Sequence, residues 1–559
     1  MRLDYLKIDR FKNLNGFVSD FNETSQEPVT VLLGRNGSGK SNLFEALVII
    51  FRDLFRGKAT TDFGYDLRYT LRGGDVKVRI WNPPLQDEST GSATSPEPFT
   101  SKEGEPINAF SFFVVEKGVE DRIAKKDLRN YLPRYVVTYY SGVSNRMEHH
   151  FFQPQLEFRD ELLQGNVIPL RPLFYAKPIH SHFALLAFFM TEDPDVTEFL
   201  SEYPWIEGLE SALFVLKRPH WAKSQKRRED GDPRFWYAGG VVKDFLSCVY
   251  DCSLAPLRLP GRIQHSFDQM ENTEFLYLYL RDVKQLRKLA RESLAAMQRK
   301  TGHQKTIEKE AFKAVEFFKL LESTFMSDLI HETRIRVQVR HAGALTFREL
   351  SEGEQQLLTV VGMLRFTRDE DSLFLLDEPD THLNPAWGIE YLNILRKHAD
   401  TGKNSHLLIA THDPLVLTNL RRNQVAILER NEESGKVASL EPEEDPVGMG
   451  VQGILRNMFG LRSAVGTEIQ KKLDERARLL AWGDKRNNKE DAEFNKLSQE
   501  LAELGFGREF RDPDYGQFLR AMARHPEFRK PVLSVKEQEK QEKIADEILD
   551  EIISKKAKK

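Results

Sequence analysis

The sequence predicts an α/β fold, in which a sheet-and-helix head is interrupted by a helical insertion and followed by a mostly helical C-terminal region. Three observations carry that prediction. Apolar runs at Val29–Leu33, Leu373–Leu376 and Leu407–Ala410 read as strands buried on both faces. Each run stops at residues suited to chemistry: Gly34, the pair Asp377-Glu378, and Thr411-His412-Asp413. Between them lies a long stretch of helical periodicity, with an apolar stripe at Val283, Leu286, Ala290, Leu294 and Met297.

Composition narrows the class. A chain of 559 residues, at about 100–200 residues per domain, holds roughly three to five units. Hydrophobic residues make up 40% and charged residues 30%, which suits a globular protein with a real core. Lys and Arg number 81 against 85 Asp and Glu, a net charge of −4, which excludes coating nucleic acid by bulk charge and leaves local basic patches open. Cys248 and Cys252 are the only cysteines, so no disulfide framework is expected. The start Met1-Arg2-Leu3-Asp4 lacks an apolar signal region, and runs such as Phe183–Met190 fall short of the roughly 18–20 residues of a membrane span. A soluble, cytoplasmic protein without a membrane partner is the expectation.

The elements follow in order. Leu3, Tyr5 and Ile8 mark a first strand that leads through Phe11-Lys12-Asn13 into a short loop. The Val29–Leu33 strand is β-branched and ends at Gly34, and a helix follows with Leu43, Leu47, Ile50 and Phe51 on one face. Strand character returns at 65–81 and 108–116, separated by a Pro-, Ser- and Gly-rich loop over 82–106. Tyr135–Tyr140 is another strand, ending at Ser141-Gly142. Residues 143–332 read as a helical insertion, and Arg334–Arg340 as a strand that restarts the α/β head. The expected units are therefore 1–142, 143–332, 333–430, a helical region 431–533 and a charged tail helix 534–559.

Gly34-Arg35-Asn36-Gly37-Ser38-Gly39-Lys40-Ser41 fits G-x-x-x-x-G-K-[ST] between a strand and a helix. Such glycines let backbone N–H groups curl around phosphate oxygens at the positive end of the next helix. Gly34, Asn36, Gly37, Ser38, Gly39, Lys40, Ser41 and Asn42 form the expected cradle for ATP. Lys40 supplies a charge for the β- and γ-phosphates, and the Ser41 hydroxyl is a Mg²⁺ ligand. Asp377, at a strand's carboxyl end, is the second expected Mg²⁺ residue, holding the ion through its water shell, and Glu378 the group that orients and activates water. Leu350-Ser351-Glu352-Gly353-Glu354 lies upstream of that strand, and its Ser and Gly at a helix start form a further small anion site. Ser351 and Glu354 also have the spacing of a capping box, a local role that coexists with the functional one.

In this order the segments resemble the ABC-type ATPases, whose signature is L-S-G-G-Q or, in the SMC-like branch, L-S-x-G-E. The resemblance implies that Ser351 and Gly353 contact the γ-phosphate of ATP held by an opposite subunit, and that His412 touches the γ-phosphate in its own. Lys40, Glu378 and His412 are then the catalytic group. Pro379–Pro385 resembles the D-loop, with Asn384 where Asp is frequent. The Q-loop glutamine is sought at Gln153 or Gln155, and an adenine-side contact at Phe11-Lys12-Asn13, which equally suits a simple turn. Ser351 follows Lys40 by 311 residues, so the head is interrupted, and by a globular block where SMC relatives carry a coiled coil.

Tyr139–Gly142, Leu350–Leu358, Phe374–Pro385, Ile409–Pro414 and Gly448–Leu461 extend the resemblance to stand-alone bacterial ABC ATPases of antiphage-defence systems, the PtuA-like (Septu and retron), AriA-like (PARIS) and OLD-like group. No E-G plus D-x-D nuclease constellation follows residue 415. The resemblance therefore implies a homodimer around ATP, with higher assembly open, and a separate nuclease or other effector protein. A DNA-repair or DNA-clamping ATPase acting directly on nucleic acid is the rival expectation.

Lys217, Arg218, His220, Trp221, Lys223, Lys226, Arg227 and Arg228, with Phe235 and Trp236 nearby, suit nucleic-acid backbone contact or a solvated loop. The same two readings apply to Lys284, Arg287, Lys288 and Arg291 on a helix and to Arg334, Arg336 and Arg340 on a strand. Cys248 and Cys252, four apart, read as buried thiols on one helix face. Ile544, Ile548 and Ile552 stripe a tail helix that suits either docking or a frayed end, with basic Lys555, Lys556, Lys558 and Lys559 beyond.

Overall fold

The computed structural model describes the chain except residues 22–27, 61, 84–109, 117–118, 165–170, 225–230, 267–268, 302–309, 368–369, 400–403, 432–433, 462–464, 484–485, 505–517, 519–520, 523–524, 530–534 and 558–559. Most of the predicted 82–106 loop, together with Lys226, Arg227, Arg228, Lys558 and Lys559, thus lies outside the described residues.

The head is a seven-stranded sheet in the order β18-β17-β3-β16-β15-β8-β9. Its members are β3 (Val29–Leu33), β8 (Tyr135–Tyr140), β9 (Leu173–Tyr175), β15 (Ser372–Asp377), β16 (Ser405–Ala410), β17 (Val425–Arg430) and β18 (Val437–Leu440). All pairings are parallel except that of β18 with β17. Alternate residues of each central strand enter two different cores. Phe374 and Leu376 of β15 join Leu407 and Ile409 of β16 on one face, while Leu373, Leu375 and Leu408 point into the other. A strand buried on both faces must be apolar throughout, which is why these segments are visible as continuous runs.

On one face lies α1 (Lys40–Phe55), whose Leu43, Phe44, Leu47, Ile50 and Phe51 are fully buried. The same core contains a six-stranded antiparallel sheet, β2-β1-β4-β5-β6-β7. Its strands are β1 (Arg2–Phe11), β2 (Leu14–Asp20), β4 (Tyr65–Leu71), β5 (Val76–Asn82), β6 (Ser111–Glu116) and β7 (Val119–Arg122). His406 of β16 stitches the first strand to the head: its Nδ1 accepts from Leu3 N at 3.0 Å and its Nε2 lies 3.0 Å from Thr30 Oγ1. Burial pushes this imidazole down to about 3, so it stays neutral.

Residues 143–332, expected to be helical, are helical only in part. They include α2 (His149–Leu163), α3 (Ile179–Phe188), α4 (Pro194–Glu202), α5 (Trp221–Ser224), α6 (Gly240–Cys252), α7 (Val283–Thr301) and α8 (Glu310–Met326). They also supply β9 and three long strands, β10 (Ile206–Lys217), β11 (Leu257–Ser266) and β12 (Gln269–Leu280). With β13 (Ile330–Val339) and β14 (Gly343–Thr346) these form an antiparallel sheet, β11-β12-β10-β13-β14. The physical reason is visible in β10. Register shifts at Ile206/Gly208, Leu209/Ser211 and Val215/Leu216 break the two-residue alternation, and the apolar spacing that results imitates a helix.

Past β14 come α9 (Glu352–Thr367) and, after β15, α10 (Pro385–Ala399). The C-terminal region is helical, with α11 (Gly450–Asn457), α12 (Thr467–Trp482), α13 (Asn488–Glu503) and α14 (Val535–Ala557). No helix among the described residues is long and apolar enough to cross a membrane. Cys252 is buried and Cys248 half-buried on α6, both as free thiols.

Three parts of the 143–332 block, the approach to β9, α3 and α8, are tied together by a buried ionic knot. Glu322 of α8 forms an ion pair with Arg171 Nη2 at 2.9 Å and meets His180 Nε2 of α3 at 2.9 Å, with all three side chains at most 4% exposed. Removing one member of such a knot strands the other charges in a low-dielectric interior, at a cost of about 3–5 kcal/mol. Glu322→Ala is therefore expected to lower stability by that order, read as a drop in urea midpoint. A midpoint unchanged from wild type would contradict the knot's role.

Candidate functional site

Four neighbouring strands, β3, β16, β15 and β8, run parallel and present their carboxyl ends in a row. That register alone collects the loop after Leu33, the turn after Asp377, the switch segment after Ala410 and Ser141 after Tyr140. Ser141 N donates to Asp377 O at 3.2 Å, and Glu378 N donates to Ala410 O at 2.8 Å, so the strand ends are tied crosswise.

The loop after β3 folds as its glycines require. A Cβ on Gly34 would sit 2.3 Å from Ser38 Oγ and 2.6 Å from Leu428 O. Gly37 and Gly39 have φ of 82° and 108°, a region costly to any other residue. Lys40 is buried, and its Nζ donates to Gly34 O at 2.7 Å. Burial lowers its pKa, opposed by the charges of Glu378 and Asp377, which places all three in one field.

Asp377 is 2% exposed, and burial pushes its carboxyl up to about 6 while a hydrogen bond from Ser41 pulls the other way. Its Oδ2 and the hydroxyl of Ser38 are buried with no hydrogen-bond partner. An unsatisfied carboxylate oxygen beside a serine hydroxyl fits a hard divalent cation, and an unsatisfied hydroxyl within a nest of backbone N–H groups fits phosphate oxygen. Ser41 and Asp377 are thus the residues able to hold Mg²⁺, sharing it with phosphate and water. Glu378 is partly exposed, and its Oε1 lies 3.1 Å from His412 Nδ1. Asp380, next in the turn, accepts from Thr411 Oγ1 at 2.5 Å and ties the acidic turn to the switch strand.

Ser351 caps α9 through the expected box. Its N and Oγ each donate to Glu354 Oε2 at 2.7 Å, and Glu354 N donates back to Ser351 Oγ at 3.3 Å. Ser351 is exposed and Gly353 buried. Among the described residues, no hydrogen bond or ion pair joins either to the Gly34–Ser41 loop of the same chain.

Several expectations are redrawn. Gln153 is exposed on α2 and donates to Glu157 at 3.1 Å, while Gln155 Nε2 is buried without a partner. Ser141, not a glutamine, is the residue after β8 that meets Asp377. Asn42 spends its side chain inside the protein: Nδ2 donates to Asn13 Oδ1 at 2.6 Å, and Oδ1 accepts from Arg146. Asn13 Nδ2 in turn donates to Gly37 O at 3.1 Å, so the Phe11-Lys12-Asn13 turn braces the loop. The brace extends through Glu45, which is 3% exposed and bonded to Lys12 at 2.6 Å, Arg146 at 2.6 Å and His150 at 3.2 Å. Neither Arg146 nor Glu45 stands out in the sequence, since a single Arg in a loop and a Glu on a helix carry no pattern.

Among the described residues, several cations of the basic patches are paired in place. Arg336 pairs with Glu210 at 3.0 Å, Arg340 with Glu207 at 3.1 Å, Arg334 with Glu332 and Arg287 with Glu192 at 2.8 Å. Lys217 pairs with Asp328 at 2.6 Å, and Phe235 and Trp236 are buried, so they offer no face on which bases could stack.

A glycine-rich phosphate loop, an acidic strand end and a histidine after the next strand, on adjacent parallel strands, define a P-loop ATPase fold of the AAA type. Residues 29–88 and 158–418 match the family described as "AAA domain, putative AbiEii toxin, Type IV TA system", and the chain belongs to that family. It is 28% identical over 197 residues to the Septu protein PtuA of Bacillus mycoides (strain KBAB4), covering 33% of this chain and 27% of that protein. It is also 28% identical over 131 residues to the Retron Vc95 probable ATPase of Vibrio cholerae serotype O1 biovar El Tor, covering 22% and 24%. The chain thus matches about a quarter of the length of each relative. Among solved structures, the SMC head domain from Thermotoga maritima aligns over 79% of this chain and all of that one, at 11% identity and a TM-score of 0.30. The Pyrococcus furiosus Smc head domain, solved with the C-terminal domain of ScpA, aligns over 79% and 96% at 12% identity and the same TM-score.

The brace on the phosphate loop has a pH signature. Burial would raise the Glu45 carboxyl, but hydrogen bonds from His150, Lys12 and Arg146 outweigh it and hold the group down at about 2. A depressed carboxyl contributes stability that is complete above its unfolded pKa near 4.5 and is lost as pH falls toward 2. Between pH 6 and pH 3 the wild type is expected to lose a few kcal/mol at most from this source, and Glu45→Gln to show a flatter acid limb. Parallel limbs in thermal melts of the two proteins would contradict the assignment.

Proposed function

We propose that this ATPase closes as a homodimer around ATP and Mg²⁺ and acts as sensor or scaffold in a bacterial antiphage-defence complex, controlling a separate nuclease or other toxic effector. The observation that carries the dimer is the separation of parts. The phosphate loop, acid pair and switch histidine share one row of strand ends, while the Ser351–Gly353 corner is presented without a bond to that loop. A second copy supplies the missing corner to each site. The defence role draws its support from the names of the two relatives.

In each composite site Lys40 exchanges the Gly34 carbonyl for the β- and γ-phosphate oxygens, and backbone N–H groups of 34–41 close around them. Ser41 and Asp377 would hold Mg²⁺, which would supply charge neutralisation at the phosphates. Glu378 orients water in line with the γ-phosphorus and takes its proton, as the new P–O bond forms and the bond to the β-phosphate oxygen breaks. His412, beside Glu378, contacts the γ-phosphate oxygens and fixes the carboxylate's direction. Ser351 and Gly353 from the other subunit complete the charge stabilisation, so turnover requires closure. Loss of the γ-phosphate removes the ligand that favours the closed state, which makes the dimer a nucleotide-biased switch.

Glu378→Gln is expected to retain ATP while turnover falls by about 10²-fold or more. Ser351→Arg should bind ATP yet fail to hydrolyse it. Phosphate release with radiolabelled ATP, alongside filter binding, reads both. Wild-type turnover in Glu378→Gln would remove that residue from catalysis, and wild-type turnover in Ser351→Arg would sink the cross-subunit site.

A further inference from the structure

The helix that starts at the signature corner is clamped to the turn carrying the chain's own Glu378. Gln356, buried one turn into α9, donates from Nε2 to the carbonyl oxygen of Glu378 at 3.3 Å. The same carbonyl accepts from Thr381 Oγ1 at 2.8 Å. Closer to the helix start, a Cβ on Gly353 would lie 2.4 Å from the carbonyl oxygen of His382, so α9 rests directly on the D-loop backbone. Glu352 and His382 Nδ1 meet at 3.3 Å over the same contact.

Two features of this clamp exceed what packing requires. Glu378 has φ of 51°, a left-handed conformation that a non-glycine residue holds only when its surroundings fix it. Gln356 keeps its Oε1 buried with no partner, a desolvation cost that an apolar side chain of equal size would avoid. The amide is thus retained for the one bond it makes. At 3.3 Å that bond is at the long end of its range, with room to shorten as α9 advances. Because the contact at Gly353 has no slack, a small displacement of the helix start passes into the 378–382 turn.

We propose that Gln356 is a positioning residue that couples the two ATP sites of the dimer. Engagement of Ser351 and Gly353 by the partner's ATP moves α9. Gln356 transmits the movement to the Glu378 carbonyl, and the strained backbone there turns the carboxylate toward the water in the chain's own site. Each site then becomes competent only when the other is filled. This inference rests on the dimeric reading above.

Gln356→Met is nearly isosteric and removes the donor together with the unpartnered Oε1. The wild type is expected to hydrolyse ATP with a Hill coefficient above one. Gln356→Met should keep the KM for ATP, lose about tenfold in kcat and drop to a Hill coefficient of one. Thr381→Val, on the exposed side of the turn, leaves the Gln356 link in place and should keep the Hill coefficient above one with a smaller loss of kcat. Simple loss of packing would lower the melting temperature without moving the Hill coefficient. Ser351→Arg, run beside them, separates the two failures. If it abolishes hydrolysis while Gln356→Met matches wild type in kcat and Hill coefficient, the coupling is overturned and the dimer stands. If Ser351→Arg hydrolyses normally, both fall, and a wild-type Hill coefficient of one overturns the coupling outright.

Discussion

Everything at this site depends on the parallel register of four strands, β3, β16, β15 and β8. Their pairing places Ala410 opposite Asp377 and Leu32, and Tyr140 opposite Asp377. The residues that follow each strand therefore arrive at one edge from positions scattered along the chain. A shift of one residue in any strand would turn its buried side chains to the other core and withdraw its loop from the row. The two-sided burial of these strands is thus what fixes the site, and the hydrophobic energy of both cores is spent on its geometry.

Within that frame the site holds charge in an unusually dry place. Lys40 and Asp377 are both buried, and burial shifts each toward neutrality, Lys40 downward and Asp377 upward. Phosphates and a divalent cation would restore charge balance and satisfy the open oxygens of Ser38 and Asp377 together, so their binding would relieve a stress built into the fold. The surrounding brace of Asn13, Asn42, Glu45, Arg146 and His150 keeps the loop shaped while that stress persists. His412 and Glu378, more exposed, sit at the edge of this buried cluster.

The head was legible because its strands are buried on both faces and end in residues of special chemistry. Val29–Leu33 and Tyr135–Tyr140 coincide with β3 and β8, and the acid pair and switch histidine fall at the ends of β15 and β16. The insertion was less legible. Bulges in β10 give Ile206, Leu209, Ala212 and Leu216 a helical spacing, and Pro260-Gly261 interrupts the alternation of β11. After β8, Ser141 meets the Asp377 backbone and Arg146 reaches Asn42 and Glu45, and neither residue carries a pattern that sequence alone would mark. Gln356 was hidden inside a recognisable motif, since its contact is with the backbone of Glu378 and not with any neighbour in sequence.

The central claim is that two copies close on ATP and open after it is spent. Sedimentation of the wild-type chain with Mg²⁺ and a non-hydrolysable ATP analogue, compared with Mg²⁺ and ADP, tests it most directly. A sedimenting mass doubled with the analogue relative to ADP is the predicted result. The same mass with both nucleotides, at concentrations that saturate binding, would contradict it.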